Sequence, residues 1–103
     1  MPESTVQEFA EDDASYQAWL RRHPAGYIIN TPRSKPANYM VLHRASCSTI
    51  GDYNKMARPG GFTEREYIKI CATDLAGLRA WVRQHGRPDG SFSSICSLCK
   101  PSA

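Results

Sequence analysis

His43-Arg44-Ala45-Ser46-Cys47, read against Cys96-Ser97-Leu98-Cys99 far along the chain, is the pairing on which the fold turns. A Cys-x-x-Cys pair supplies two thiolates from one tight turn, and His-x-x-x-Cys offers an imidazole and a third thiolate just past a strand end. Zinc is a borderline-soft ion that four such ligands close into a tetrahedron. The expected set is therefore His43, Cys47, Cys96 and Cys99, with zinc as cofactor. Cys71 is the substitute for His43, because strand periodicity allows it to share a face with that histidine. Two disulfides are a further alternative, disfavoured because nothing signals export. A redox pair formed by Cys96 and Cys99 is another, without the βαβ context such pairs keep.

Working outward, Tyr39-Met40-Val41-Leu42-His43 reads as a strand, with Met40 and Leu42 on one face and Tyr39, Val41 and His43 on the other. Gly26-Tyr27-Ile28-Ile29-Asn30 reads as its hairpin partner, across a basic turn bracketed by Pro32 and Pro36. Tyr67-Ile68-Lys69-Ile70-Cys71-Ala72 is a third strand, with Ile68, Ile70 and Ala72 on one face. Two helices flank these strands. The first covers residues 13–22, capped by Asp12 or Asp13, with Tyr16, Trp19 and Leu20 as its apolar face. The second covers residues 74–85, capped by Thr73 or Asp74, with the stripe Leu75, Leu78, Trp81 and Val82, and Gly86 at its left-handed end. Trp19 and Trp81 belong to the core, and His23 and His85 suit helix C-termini. Residues 51–62 lack periodicity and read as a long loop. The fold class expected is α+β: a small three-stranded antiparallel sheet with two helices and a C-terminal zinc-binding turn.

The 103 residues suit one domain, small enough for a metal staple to matter. Residues 1–11 read as a disordered acidic leader and residues 12–103 as a single zinc-stabilised domain. No apolar run approaches the roughly 20 residues of a membrane helix. The N-terminus lacks the basic and apolar regions of a secretory signal, so the expected location is cytoplasmic and no membrane partner is expected.

The net charge of +3 hides an asymmetry. Five of the ten acids lie in the first 13 residues, which carry no base. The remainder holds all 13 bases, a body suited to polyanions. Arg44, beside His43, has phosphate-matching geometry. Arg33, Lys35, Lys55, Arg58 and Lys100 could extend a basic surface, with Tyr53 and Phe62 as stacking faces. For catalysis, Asp52, Glu64 and Glu66 are the only acids of the central region and form no paired site. There is no phosphate-binding Gly-rich loop and no His-Glu-x-x-His. A zinc closed by four protein ligands has no seat for water.

The run His43-Arg44-Ala45-Ser46-Cys47, a strand, a helix, then Cys96-Ser97-Leu98-Cys99-Lys100-Pro101 resembles the Ada-type zinc-binding domain of alkylation repair, in the His-containing variant attached to some bacterial nucleases. The resemblance covers about residues 39–101. It implies zinc at these four residues and nucleic acid, DNA or RNA, as a partner. Two departures stand out. The gap between Cys47 and Cys96 is longer than in that family, and the first ligand is His where the repair protein has its methyl-accepting thiolate. Alkyl transfer is therefore not implied. The expected function is a non-catalytic zinc-binding module contacting nucleic acid through a basic surface. The alternatives are a protein-interaction module of a larger bacterial system, with an apolar patch around Phe62 and Leu98, or a small thiol/redox protein.

Overall fold

The computed structural model describes residues 6–47, 50, 62–64 and 66–99. Among these, five strands and two helices occur in the order β1 (Gln7–Phe9), α1 (Asp13–Arg22), β2 (Tyr27–Pro32), β3 (Val41–Arg44), β4 (Tyr67–Ala72), α2 (Leu75–Gln84) and β5 (Ser94–Ile95). The class is α+β, but the sheet is not the expected three-stranded antiparallel one. It has five strands in the order β1-β4-β2-β3-β5 and is mixed. β2 pairs antiparallel with β3 and β4, β1 pairs antiparallel with β4, and β5 pairs parallel with β3.

The two extra strands are edges of three and two residues. Neither has an alternating apolar pattern to announce it; pairing with a preformed neighbour makes each a strand. β1 lies within the segment expected to be an acidic leader, so residues 7–9 are strand and not leader. A Glu8–Lys35 ion pair at 2.9 Å ties this strand across to the β2–β3 turn. β5 is flanked by two bonds to the preceding edge: Ser93 N–H donates to Met40 O at 3.0 Å and Cys96 N–H to Leu42 O at 2.9 Å.

Period two sorts the side chains onto two faces. Ile29 stands between Leu42 and Ile70 in register, and with Met40, Ile68 and Ala72 it forms one apolar face. Helix α2 covers that face with Leu78, Trp81 and Val82. Asp74 caps α2 by accepting from Gly77 N–H at 2.9 Å. Gly86, at φ +105°, turns the chain out of the helix as Arg87 N–H reaches back to Val82 O at 2.9 Å.

On the opposite face Ile28 stands between His43 and Cys71 in register. Helix α1 covers this face with Tyr16 and Trp19, joined by Ala45, Cys47, Ile50 and Phe62. Asp12 caps α1 by accepting from Ser15 N–H at 3.0 Å. Gly26 admits the helix closely: a Cβ there would meet Trp19 Cη2 at 2.7 Å. The sheet is thus sandwiched between two helices, one on each face. No helix among the described residues is long and apolar enough to cross a membrane.

Candidate metal centre

The α1 face ends, beside β3, in a cluster of sulfur and imidazole. Strand β3 delivers His43 on that face, since its neighbours Leu42 and Arg44 point the other way. The chain then turns: Cys47 N–H donates to Arg44 O at 3.0 Å, which seats Cys47 one turn beyond the strand. Coming from the other direction, the Cys96 N–H bond to Leu42 O places Cys96 alongside His43. A turn over residues 97–99 brings Cys99 back until Arg44 N–H donates to its Sγ at 3.3 Å. The Arg44 side chain fastens the same residue, Nε donating to Cys99 O at 2.8 Å.

The ligand atoms of His43, Cys47, Cys96 and Cys99 all lie within 4.8 Å of one another, so the four could hold a metal ion. The fit is chemical as well as spatial. Cys47 Sγ and Cys96 Sγ are 3.9 Å apart, near the edge of about 3.8 Å that a tetrahedron with zinc–sulfur bonds of about 2.3 Å requires. His43 Nδ1 is buried without a hydrogen-bond partner among the described residues. An orphaned ring nitrogen inside a protein is costly, and a cation in the cluster offers this imidazole the partner that protein does not.

Electrostatics point the same way. Burial, with the Lys69 ammonium adding to it, lowers the His43 pKa to about 4, so the ring is neutral at pH 7, the form that ligates. Burial pushes the Cys99 thiol up to about 12; the Arg44 N–H opposes this, and the neighbouring Cys47 and Cys96 thiols reinforce it. For Cys96 burial again opposes ionisation, yet N–H groups of Cys99 and Leu98, together with hydrogen bonds from the Cys99 and Cys47 thiols, outweigh it and hold the thiol below its ordinary value.

Cys71 lies outside the cluster. It is fully buried against Tyr16, Trp19 and Ile28, and burial drives its thiol well above the ordinary range. It is a core residue in this structure. All four cysteines are free thiols.

Three of the six residues of the expected basic surface have partners within the chain. Arg33 pairs with Glu11 at 3.3 Å, Lys35 pairs with Glu8, and Arg44 is engaged with Cys99. Lys55, Arg58 and Lys100, with Tyr53 and Asp52, lie outside the described residues. Phe62 is only 3% exposed and packs on Tyr16, ring centroids 5.8 Å apart, so it is neither a stacking face nor part of an apolar patch. Leu98, by contrast, is 72% exposed.

A second polar group on this face was not anticipated from the sequence. Asp13, buried at the start of α1, accepts from Thr63 N–H at 2.7 Å and Thr63 Oγ1 at 2.6 Å. Lys69, 4% exposed on the interior strand β4, donates to Phe62 O at 2.7 Å and Asn30 Oδ1 at 2.8 Å. Burial lowers the Lys69 pKa to about 8, against the opposing pull of Asp13. The one available signal was Lys69 itself, a charge at a position whose periodicity points inward with Cys71.

Comparison with family models, with characterised proteins and with solved structures gives no match, so the geometry carries the functional reading.

Proposed function

We propose that this chain is a non-catalytic zinc-binding module in which one zinc ion, held by His43, Cys47, Cys96 and Cys99, ties the C-terminal strand and turn to the body of the sheet. The observation that carries the reading is the convergence of four soft or borderline donors within 4.8 Å from two segments far apart in sequence. Three sulfurs and one nitrogen select zinc over the hard cations, which take oxygen. When bound, the ion supplies charge neutralisation and cross-linking. His43 and Cys47 hold the β3 side, Cys96 and Cys99 hold the β5 side, and Arg44 fixes Cys99 through its backbone N–H and Nε. Four protein ligands leave no position for substrate, which supports a structural role. The likeness to the Ada-type domain belongs to the same proposal, through its order of ligands.

Cobalt titration of the reduced protein tests this. A tetrahedral, thiolate-rich site gives strong visible d–d absorption, saturating at one equivalent and bleached by zinc. The same spectrum in Cys71→Ser and its loss in Cys47→Ser support the set. Retention in Cys47→Ser, or loss in Cys71→Ser, contradicts it.

Contact with nucleic acid through a basic surface is the less supported part of the earlier expectation, because Arg33 and Lys35 face acids of the same chain. Fluorescence anisotropy with a labelled duplex and a labelled single strand decides it. Binding that weakens steeply with salt favours nucleic acid, and none at low salt excludes it.

A further inference from the structure

The four residues of the metal centre are not equally placed. His43 and Cys47 are 8% and 6% exposed, and Cys47 belongs to the apolar cluster under α1. Cys96 and Cys99 are half-buried. They stand at the two ends of a turn whose other residues face solvent, Ser97 exposed and Leu98 72% exposed. That turn curls round one sulfur: the N–H groups of Leu98 and Cys99 and the Cys99 thiol all hydrogen-bond to Cys96 Sγ. From this asymmetry we infer that Cys96 and Cys99 are a modification site for hydrogen peroxide, whose reaction joins them in a disulfide, expels the zinc and loosens the C-terminal strand.

Three features select this pair and this outcome. The first is chemistry. A cysteine that ligates zinc does so as thiolate, the form that attacks peroxide. One thiolate of the pair attacks a peroxide oxygen, the O–O bond breaks, hydroxide leaves and a sulfenic acid forms. The second thiolate attacks that sulfur, the S–S bond forms, the S–O bond breaks and a second hydroxide leaves. The two thiolates lose two electrons in all, and the peroxide gains them. The second feature is placement. The Cys96 and Cys99 thiols already touch across one surface turn, so joining them asks no movement of the sheet. Cys47 is the competitor, its Sγ 3.9 Å from Cys96 Sγ, but it stands on the buried side. The third is what remains. The disulfide leaves His43 and Cys47, two donors in place of the four that hold zinc. β5 is then held by its two-residue ladder to β3 and by the flanking bonds of Ser93 and Cys96. A ladder that short is marginal without a further anchor.

The inference rests on the zinc reading, and the test separates the two. The zinc-loaded full chain is treated with a slight excess of hydrogen peroxide beside a weak chromogenic zinc indicator, and disulfides are located by peptide mass mapping. The expected result is one zinc released per chain, a Cys96–Cys99 disulfide, and Cys71 still a free thiol. Amide hydrogen exchange over residues 93–96 should accelerate at least tenfold, while β2 and β4 keep their protection. Dithiothreitol with added zinc should restore both the metal and the slow exchange. Zinc retained under a large excess of peroxide overturns the inference. So does a disulfide to Cys47, a sulfinic acid as the main product, or exchange that accelerates across the whole sheet. A zinc-loaded chain that keeps its metal in peroxide refutes the oxidation site alone, whereas a chain that takes up no zinc refutes the metal reading beneath it.

Discussion

The two faces of one sheet are stabilised by different physics. Under α2, Ile29, Leu42, Ile70, Leu78 and Val82 are fully buried and apolar, and the face needs nothing but shape. Under α1, the same strands present His43, Lys69 and Cys71, all buried, beside Asp13 and Thr63. That face is held by directed contacts, each of which fails sharply when a partner is missing. The lesson is that the α2 face should lose stability in proportion to volume removed, and the α1 face in proportion to groups orphaned.

The largest expected effect is on the sulfur end of the α1 face. Cys99→Ser removes a ligand and with it the ion, and should cost more than about 4 kcal/mol in urea unfolding of the zinc-loaded protein. A strong chelator should bring parent and variant to the same midpoint. Next comes Leu78→Ala on the α2 face, at about 2–5 kcal/mol, with the same loss whether or not metal is present. If chelation changes that loss substantially, the two faces are not independent. Asp13→Ala should cost about 3 kcal/mol, since it strands the buried Thr63 N–H and hydroxyl and removes a carboxylate that favours the charged Lys69. A loss below about 1 kcal/mol would mean the cluster is wet.

A smaller effect follows from Lys69. Its pKa, lowered from 10.5 to about 8 by burial, means that below pH 8 the folded state bears a desolvated charge. Between about 8 and 10.5 the unfolded chain binds more protons, so on this account stability rises with pH, by at most about 1.4 kcal/mol per unit. Unfolding at several pH values in that window, parent against Lys69→Met, isolates the slope, which the variant should lack. The smallest change is Asp74→Ala, which removes the α2 cap and should cost about 1 kcal/mol, again indifferent to metal.

Much of this was legible from local pattern. The helix over Asp13–Arg22 and the strand Tyr67–Ala72 fall where their apolar spacing and capping residues put them. The division of Met40 and Leu42 from His43 follows from period two alone. The candidate ligands were visible because thiol and imidazole spacing is a chemical pattern independent of fold. What was not legible depends on partners. Gln7–Phe9 and Ser94–Ile95 carry no strand signal and acquire one only at an existing edge. The buried contacts of Lys69 and Asp13 were not legible, because nothing local says that the 62–64 segment will cover them. Phe62 reads as exposed for the same reason. Arg33 and Lys35 looked free because their acidic partners lie far off in sequence: Glu8 sits on a strand that only pairing creates, and Glu11 lies just beyond it.

Native mass spectrometry of the reduced full-length chain tests the central claim most directly. The account requires a folded charge-state distribution carrying a single zinc, and a variant with His43 replaced by alanine that carries none. A folded, metal-free parent, or a parent whose mass shows Cys96 oxidised to a disulfide under reducing conditions, would contradict it.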